Sequence, residues 1–556
     1  MEYSQDLERR AADNEKTLDG AKNISDSSSG YLDPRLPPGA AAGPYNDGSE
    51  VGEVRQVPSH VLRQKEVEGH AAFKRLGWKR LTIVLIVEAI ALGSLSLPQA
   101  FAALGMVAGV ICSIGLGITA VYASYVVGQL KLMYPQISHY ADAGKLMFGR
   151  IGYEIFGFMF TLQLIFLVGS HVLTGTIMWG NITDNGNGTC SIVFSVVSAI
   201  ILFLLAIPPS FAEMAILGYI DFVSIVAAIL ITMIATGVTA SDQPGGLAAV
   251  NWSAWPKENI SLPEAFIAIC NIVFAYSFAL CQFSFMDEMH TPADFTKSIM
   301  TLGGIEIVIY TLTGAIIYSF VGVDVQAPAL LSAGPLISKI AFGVALPVIF
   351  ISGSINTVVV GRYIEERLFK NSVIRYVNTP MGWAVWLGLN AVITIIAWVI
   401  AEAIPFFSDL LAISSSLFIS GFTFYFPALM WLMFIKDGKW YERKNWLLTS
   451  VNVLCFVIGI IVLVVGTYAA AEDIVSVGLP LRYRKISTDR LLSLEAQICP
   501  GRRGPAVHLR SPLSFDPSIC RLSMSGVFWF FRRLQGGFCP RVMLDTGNER
   551  MHTDGT

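Results

Sequence analysis

The chemistry-bearing residues of this chain are few and sit inside apolar runs. In Glu88-Ala-Ile-Ala-Leu-Gly93-Ser-Leu-Ser-Leu-Pro98-Gln-Ala-Phe101 a carboxyl, a glycine, two serines and a proline interrupt a hydrophobic stretch. Gly93 weakens a helix and Pro98 cannot donate to the carbonyl four residues back, so the spacing predicts unpaired backbone near Ser94 to Leu97. Such backbone survives at membrane depth only where it is buried in protein or lines a polar cavity, and an interrupted segment of this kind points to a solute site. A broken helix exposes opposite dipole ends: free amides hold an anionic group and free carbonyls a cation. A zwitterionic amino acid supplies both charges. The competing reading is a proline kink in a packing helix. Glu88 adds an ionisable group where one is costly.

A second stretch, Asn271-Ile-Val-Phe274-Ala275-Tyr276-Ser277-Phe278, places small and polar side chains in the middle of another apolar run. Further candidates are single. His171 offers a proton relay or an ordinary interhelical hydrogen bond. Ser352, Gly353, Ser354, Asn356 and Thr357 offer a polar cavity wall, or hydroxyls bonded to their own helix. Asp221 and Glu306 are embedded carboxyls that rank below Glu88, and Asp409 reads as an outer gate or a solvated helix end. In His290-Thr-Pro-Ala-Asp294, Pro292 stops one helix and Thr291 or Asp294 caps the next, a structural role. No Gly-x-x-x-x-Gly-Lys loop suggests direct ATP coupling. No metal-ligand spacing is present. No cofactor is expected, and an enzyme would need two catalytic groups meeting at one depth, which the sequence does not supply.

The elements that must position these groups are long apolar helices. Of 556 residues 54% are hydrophobic and 14% charged, too apolar for a soluble protein of this size. Net charge is close to zero, so nucleic acid is not an expected partner; the lipid bilayer is. Eleven apolar segments are expected, at roughly 79–103, 106–132, 152–179, 191–208, 212–238, 263–286, 298–322, 336–360, 381–402, 405–435 and 447–471. Five helices separate the two interrupted segments, as a five-plus-five inverted repeat requires. Four cysteines, Cys112, Cys270, Cys281 and Cys455, fall inside these segments, where a free thiol acts as a small hydrophobe.

Residues 1–70 lack hydrophobic periodicity and read as a disordered cytoplasmic tail, a regulatory segment or a plain linker. No signal peptide precedes the first segment, which is therefore expected to direct insertion itself. With the N-terminus inside, the basic residues up to 475 fall in the cytoplasm, except Lys257 and Lys339. The acceptor triplets at Asn181, Asn187, Asn251 and Asn259 all fall outside, which agrees. From Leu479 onward the chain holds eleven arginines but a single lysine, Lys485, with scattered prolines. Residues 476–556 are expected to be an atypical tail, not a selected domain, of the kind that read-through or a shifted frame would produce. A basic lipid-binding tail is the alternative.

Together, Glu88 to Pro98, Phe274 to Phe278 and Met286-Asp-Glu-Met-His-Thr-Pro292-Ala-Asp294-Phe295-Thr-Lys297 resemble the amino acid/auxin permease family, most closely its fungal neutral amino-acid permeases. The resemblance covers 71–475 as an amino acid transporter transmembrane domain. It implies an all-α polytopic membrane protein of leucine-transporter type, a 5+5 inverted repeat with eleven transmembrane helices, of which 1 and 6 are discontinuous. It further implies that Gly93, Ser94, Leu95 and Ser96 receive the substrate carboxylate through backbone amides, and that Phe274, Ala275 and Ser277 meet the amino group. Sodium-coupled relatives hold a cation with a neutral amide early in segment one and a hydroxyl in segment eight. Here the first position region carries Glu88, and a carboxyl in low dielectric exchanges a proton instead. Proton-coupling roles thus fall to Glu88 and His171, with Ser352, Ser354 and Thr357 lining the cation end or cavity.

The expectation is a secondary active transporter of neutral amino acids, a proton symporter working by alternating access in the plasma membrane. Alternatives are a sodium-coupled symporter, a vacuolar location, and a receptor using the same pocket without net flux.

Overall fold

The computed structural model describes residues 77–184, 190–209, 211–369, 377 and 379–476, and within these not the side chains of Glu88, Ala91 or 211–216. Both tails, 1–70 and nearly all of 476–556, lie outside the described residues, as does the Glu88 side chain.

Every described element is helical. In chain order these are α1 (Trp78–Leu104), α2 (Met106–Met133), α3 (Tyr140–Ile182), α4 (Ser191–Leu205) and α5 (Phe211–Asp242). A second set follows: α6 (Leu262–Ala275), α7 (Gln282–Asp287), α8 (Phe295–Val321), α9 (Pro335–Leu368) and α10 (Pro380–Ala403). Two more, α11 (Phe407–Ile435) and α12 (Trp446–Ser476), complete the bundle. Among the described residues eight helices are long and apolar enough to cross a bilayer alone, and the two arms of α1 make a ninth span if counted as one. The helices at the expected fourth and sixth segments, Ser191–Leu205 and Leu262–Ala275, are shorter. A helix thus stands at each of the eleven expected segments, eight or nine of them spans by length and composition.

Local sequence explains the ends. Ser261 accepts from the amide of Glu264 at 3.2 Å and Thr379 from that of Gly382 at 3.0 Å, each N-cap followed by a proline in the first turn. Gly105, between α1 and α2, has φ +79°, and a Cβ there would lie 2.5 Å from the Trp255 backbone. Inside α11 the hydrogen bonding slips to π register over Ser415–Ile419, Gly421–Tyr425 and Trp431–Ile435, the kind of local widening often found at functional sites.

Packing divides the helices into two units of five. Taking α6 and α7 as one broken helix, α1 packs on α6, α2 on α8, α3 on α9 and α4 on α10, so four of the five helices of the first unit meet their counterparts in the second. The remaining contacts repeat under the same exchange. Thus α1 meets α8 as α7 meets α2, α5 meets α9 as α11 meets α3, and α3 meets α10 as α9 meets α4. Five successive helices reverse the direction of the chain, so the second unit is the first inverted.

The sixth segment is discontinuous, with Tyr276 to Cys281 unwound between α6 and α7. The first differs from expectation. Helical structure continues across Ser94 to Leu97, and the discontinuity is a 51° bend between the arms Trp78–Val87 and Leu92–Leu104.

Candidate functional site

The bend of α1 and the end of α6 meet. A Cβ on Gly93 would lie 2.7 Å from Ala275 Cα and 2.8 Å from Ala275 Cβ, so the two helices touch backbone to backbone there. Tyr310, reaching in from α8, places its hydroxyl 2.8 Å from the Ala89 carbonyl and 3.1 Å from that of Ala275. One hydroxyl proton thus serves carbonyls of both interrupted helices. The Tyr310 ring meets Tyr276 edge-on at 5.1 Å, and the Tyr276 hydroxyl lies 3.4 Å from Ser113 Oγ on α2. Sequence reasoning missed Tyr310, since a tyrosine in an apolar run does not reveal which helix it faces.

On α1, Ser94 Oγ donates to the Ile90 carbonyl at 2.7 Å and Ser96 Oγ to that of Gly93 at 2.9 Å. These two hydroxyls are spent within their own helix. Because Pro98 has no N–H, the Ser94 carbonyl loses its usual helical partner, but the amides of Gly93, Ser94, Leu95 and Ser96 lie within a helical stretch. The expected set of free amides is therefore absent in this form. Leu95, Phe274, Ala275 and Ser277 are all buried where α1 and α6 pack.

Above this junction a cavity of about 470 Å³ is lined by Gln99, Ala103, Ile177, Asn271, Ser408 and Asp409, among others. It draws on α1, α3, α6 and α11. Gln99 accepts a hydrogen bond from Ser408, joining α1 to α11 at its rim. Asn271 Oδ1 is buried without a hydrogen-bond partner. Asp409 shares a side-chain hydrogen bond with Asp473 of α12, so it is not a solvated helix end.

His171 of α3 bridges to α9: its Nδ1 lies 2.7 Å from the Ile349 carbonyl and its Nε2 3.4 Å from Ser352 Oγ. Nδ1 must carry a proton to meet a carbonyl. Ser354 and Thr357 donate to the carbonyls of Ile351 and Gly353 within α9, at 2.7 and 3.2 Å. Gln163 of α3 accepts from Ser414 of α11 at 2.9 Å, while its Nε2 is buried without a partner.

The opposite end of the bundle is tied shut. Lys131 donates to Asp287 of α7 at 2.7 Å; His139 lies 2.8 Å from Ser284 Oγ of α7 and 3.0 Å from Glu366 Oε2 of α9. Arg362 of α9 pairs with Glu288, whose side chain is only 3% exposed. The lower arm of the broken sixth helix is thereby held by ionic contacts on two sides.

Residues 74–472 match the family described as transmembrane amino acid transporter protein. The chain is 70% identical over 433 residues to the N amino acid transport system protein of Neurospora crassa, covering 78% of this chain and 92% of that protein. It is 30% identical over 443 residues to a transmembrane transporter of Gibberella moniliformis, covering 78% and 89%. Among solved structures, MhsT in complex with L-phenylalanine gives a TM-score of 0.48 at 15% identity, covering 70% of this chain and 98% of that one. Mhp1, a nucleobase-cation-symport-1 family transporter in a closed conformation, gives 0.44 at 17%, covering 73% and 94%. By the family match and by its fungal relatives, this chain belongs to the transmembrane amino acid transporter family.

Proposed function

We propose that the protein moves neutral amino acids by proton symport with alternating access. The observation that carries the reading is the meeting of two interrupted helices at Gly93 and Ala275, beneath an outer cavity and above an ion-paired inner end. An amino acid entering past Gln99 and Asn271 reaches the junction. Its carboxylate is received by the amides of Gly93, Ser94, Leu95 and Ser96 once α1 unwinds further at its bend, and its amino group by Phe274, Ala275 and Ser277. Ser352, Ser354 and Thr357 complete the polar wall. The bundle of α1, α2, α6, α7 and α8 then rocks against α3, α4, α9 and α10, the inner ion pairs part, and substrate leaves. Glu88 supplies the coupling proton, with His171 as its relay. The basic residues at the Lys131 and Arg362 end support a cytoplasmic side for that end and for the N-terminus. The 70% identity to an N amino acid transport system protein supports amino acids as the substrates.

The test is reconstitution of the full chain into vesicles, with labelled L-leucine uptake measured under imposed proton or sodium gradients. Accumulation driven by the proton gradient and abolished in Glu88→Gln is the expected result. Accumulation driven by sodium alone, or wild-type accumulation in Glu88→Gln, overturns the coupling assignment; binding without flux favours a receptor.

A further inference from the structure

Asp221 of α5 is fully buried, and among the described residues neither of its carboxyl oxygens has a hydrogen-bond partner. Its position is fixed by its neighbours one turn away on either side. A Cβ on Gly218 would lie 3.2 Å from Val87 and 3.3 Å from Ile83 of α1. Ser224 Oγ donates at 2.5 Å to the Val344 carbonyl of α9. Asp221 therefore sits on the seam between the inner arm of α1 and α9, at the level where α1 begins its bend.

Among the described residues no cation serves it. The elements packed against α5 are α1, α8, α9 and the 3-10 turns Ala329–Ala333 and Gly246–Ala249, and the two turns carry no ionisable group. On α1 the ionisable groups are Glu88, an acid, and Lys79 and Arg80, both exposed at the inner end. On α8 they are Lys297, paired with Asp294 at 2.7 Å, Glu306, another buried acid, Tyr310, which serves Ala89 and Ala275, and Tyr318, which accepts from the Ser253 amide. On α9 Lys339 pairs with Asp184 at 2.6 Å, Arg362 with Glu288 and Arg367 with Glu154; Tyr363 accepts from Arg367, and Glu365 and Glu366 are acids. On α5 itself Tyr219 and Asp242 are exposed. A carboxylate taken from water with no hydrogen bond and no counter-charge is strongly disfavoured, so the closed form holds the neutral acid. Nor does the group earn its place by packing. As it makes no hydrogen bond, it ties no helices together, and an apolar side chain would fill the space without the desolvation cost.

We infer that Asp221 is a proton-binding site of the transport cycle, loaded while the seam between α1 and α9 is closed and emptied when the seam opens to water. The inference rests on the symport reading and adds a second carboxyl to Glu88. In each cycle an O–H bond forms on the Asp221 carboxyl with a proton drawn from outside. That bond breaks toward the inside, the electron pair staying on oxygen.

The full-length wild type, Asp221→Asn, Asp221→Glu and Glu88→Gln are compared in vesicles. Three readouts are taken: labelled L-leucine accumulation under an inward proton gradient, leucine-for-leucine exchange without a gradient, and internal pH on leucine addition. Asp221→Asn reproduces the neutral acid in shape, so it is expected to fold with an unchanged Tm and to exchange leucine. Accumulation should fall at least tenfold and leucine-dependent acidification should vanish, with Asp221→Glu recovering part of both. A coupled wild type with an equally coupled Asp221→Asn overturns the inference alone. Loss of fold in Asp221→Asn overturns it too, because that outcome means a charged, structurally paired native group. A wild type indifferent to the proton gradient sinks the symport reading itself, and Asp221 with it.

Discussion

At position 93 the constraint is space. The Cβ of an alanine would stand 2.7 Å from the Ala275 backbone, well inside contact distance, and neither neighbour is the far end of a flexible side chain. Gly93→Ala should therefore push α1 from α6, at about 1–3 kcal/mol for an overpacked core. Uptake should fall at least tenfold while the protein still inserts, read by labelled leucine uptake beside a Tm measurement. Tyr310→Phe tests the neighbouring feature differently, keeping the ring and removing the proton shared by Ala89 and Ala275. Carbonyls buried without that donor cost about 1–3 kcal/mol, so a lowered Tm and reduced uptake are expected. Unchanged values for both would show that the hydroxyl ties nothing. Of this site, Gly93 and Ala275 were legible as interruptions of apolar runs. Tyr310, Gln99 and Asp473 were not, because their partners come from helices distant in sequence.

For the helices themselves, the gap between expectation and structure is instructive in α1. Glycine and proline predict a break between them, yet a proline in a helix removes a single backbone hydrogen bond. Ser94 and Ser96 bond back to their own helix on the same stretch, and the chain stays helical to Leu104. The 51° bend lies one turn earlier, where α1 meets Ala275 and Tyr310, so tertiary contact and not local composition decides its place. In the sixth segment composition alone was weak, since Ala275, Ala279 and Leu280 favour helix and neither glycine nor proline interrupts Ala275 to Cys281; the break was expected there from the family resemblance. The same scale governs the closed end. Arg362 is the ion partner of nearly buried Glu288, and removing it strands a carboxylate at about 3–5 kcal/mol if the end stays shut. Arg362→Ala should instead open that end, so that a cysteine introduced at Ser284 reacts with a thiol reagent added on the side of the Arg362–Glu288 pair several-fold faster than in the parent. Pairing Arg362→Ala with Glu288→Gln should restore much of the protection; equal labelling in all forms would deny the contact a gating role.

Over the whole molecule, the packing of α1 to α5 against α6 to α11 repeats under exchange of the two units, a symmetry the sequence shows only as two interrupted segments five helices apart. A packing arrangement constrains size and polarity at its contacts, not residue identity, so the repeat need not show as matched residues. What the repeat leaves over is α12 and the tails. The family match ends at residue 472 and α12 ends at Ser476, where its last turn stands exposed. The arginine-rich residues that follow include no apolar stretch of the roughly 20 residues a crossing needs. If they carry no part of the transport unit, a chain stopped after Ser476 should insert, keep its Tm within about 2 °C and take up leucine within about twofold of the full chain. The carboxyl pair of Asp409 and Asp473 makes this a sharp test, because Asp473 lies three residues before the cut and fraying of α12 would disturb the outer cavity first. A truncated protein whose uptake collapses while Asp473→Asn in the full chain is tolerated would assign the tail a role of its own. One in which both fail alike would place the damage at the carboxyl pair.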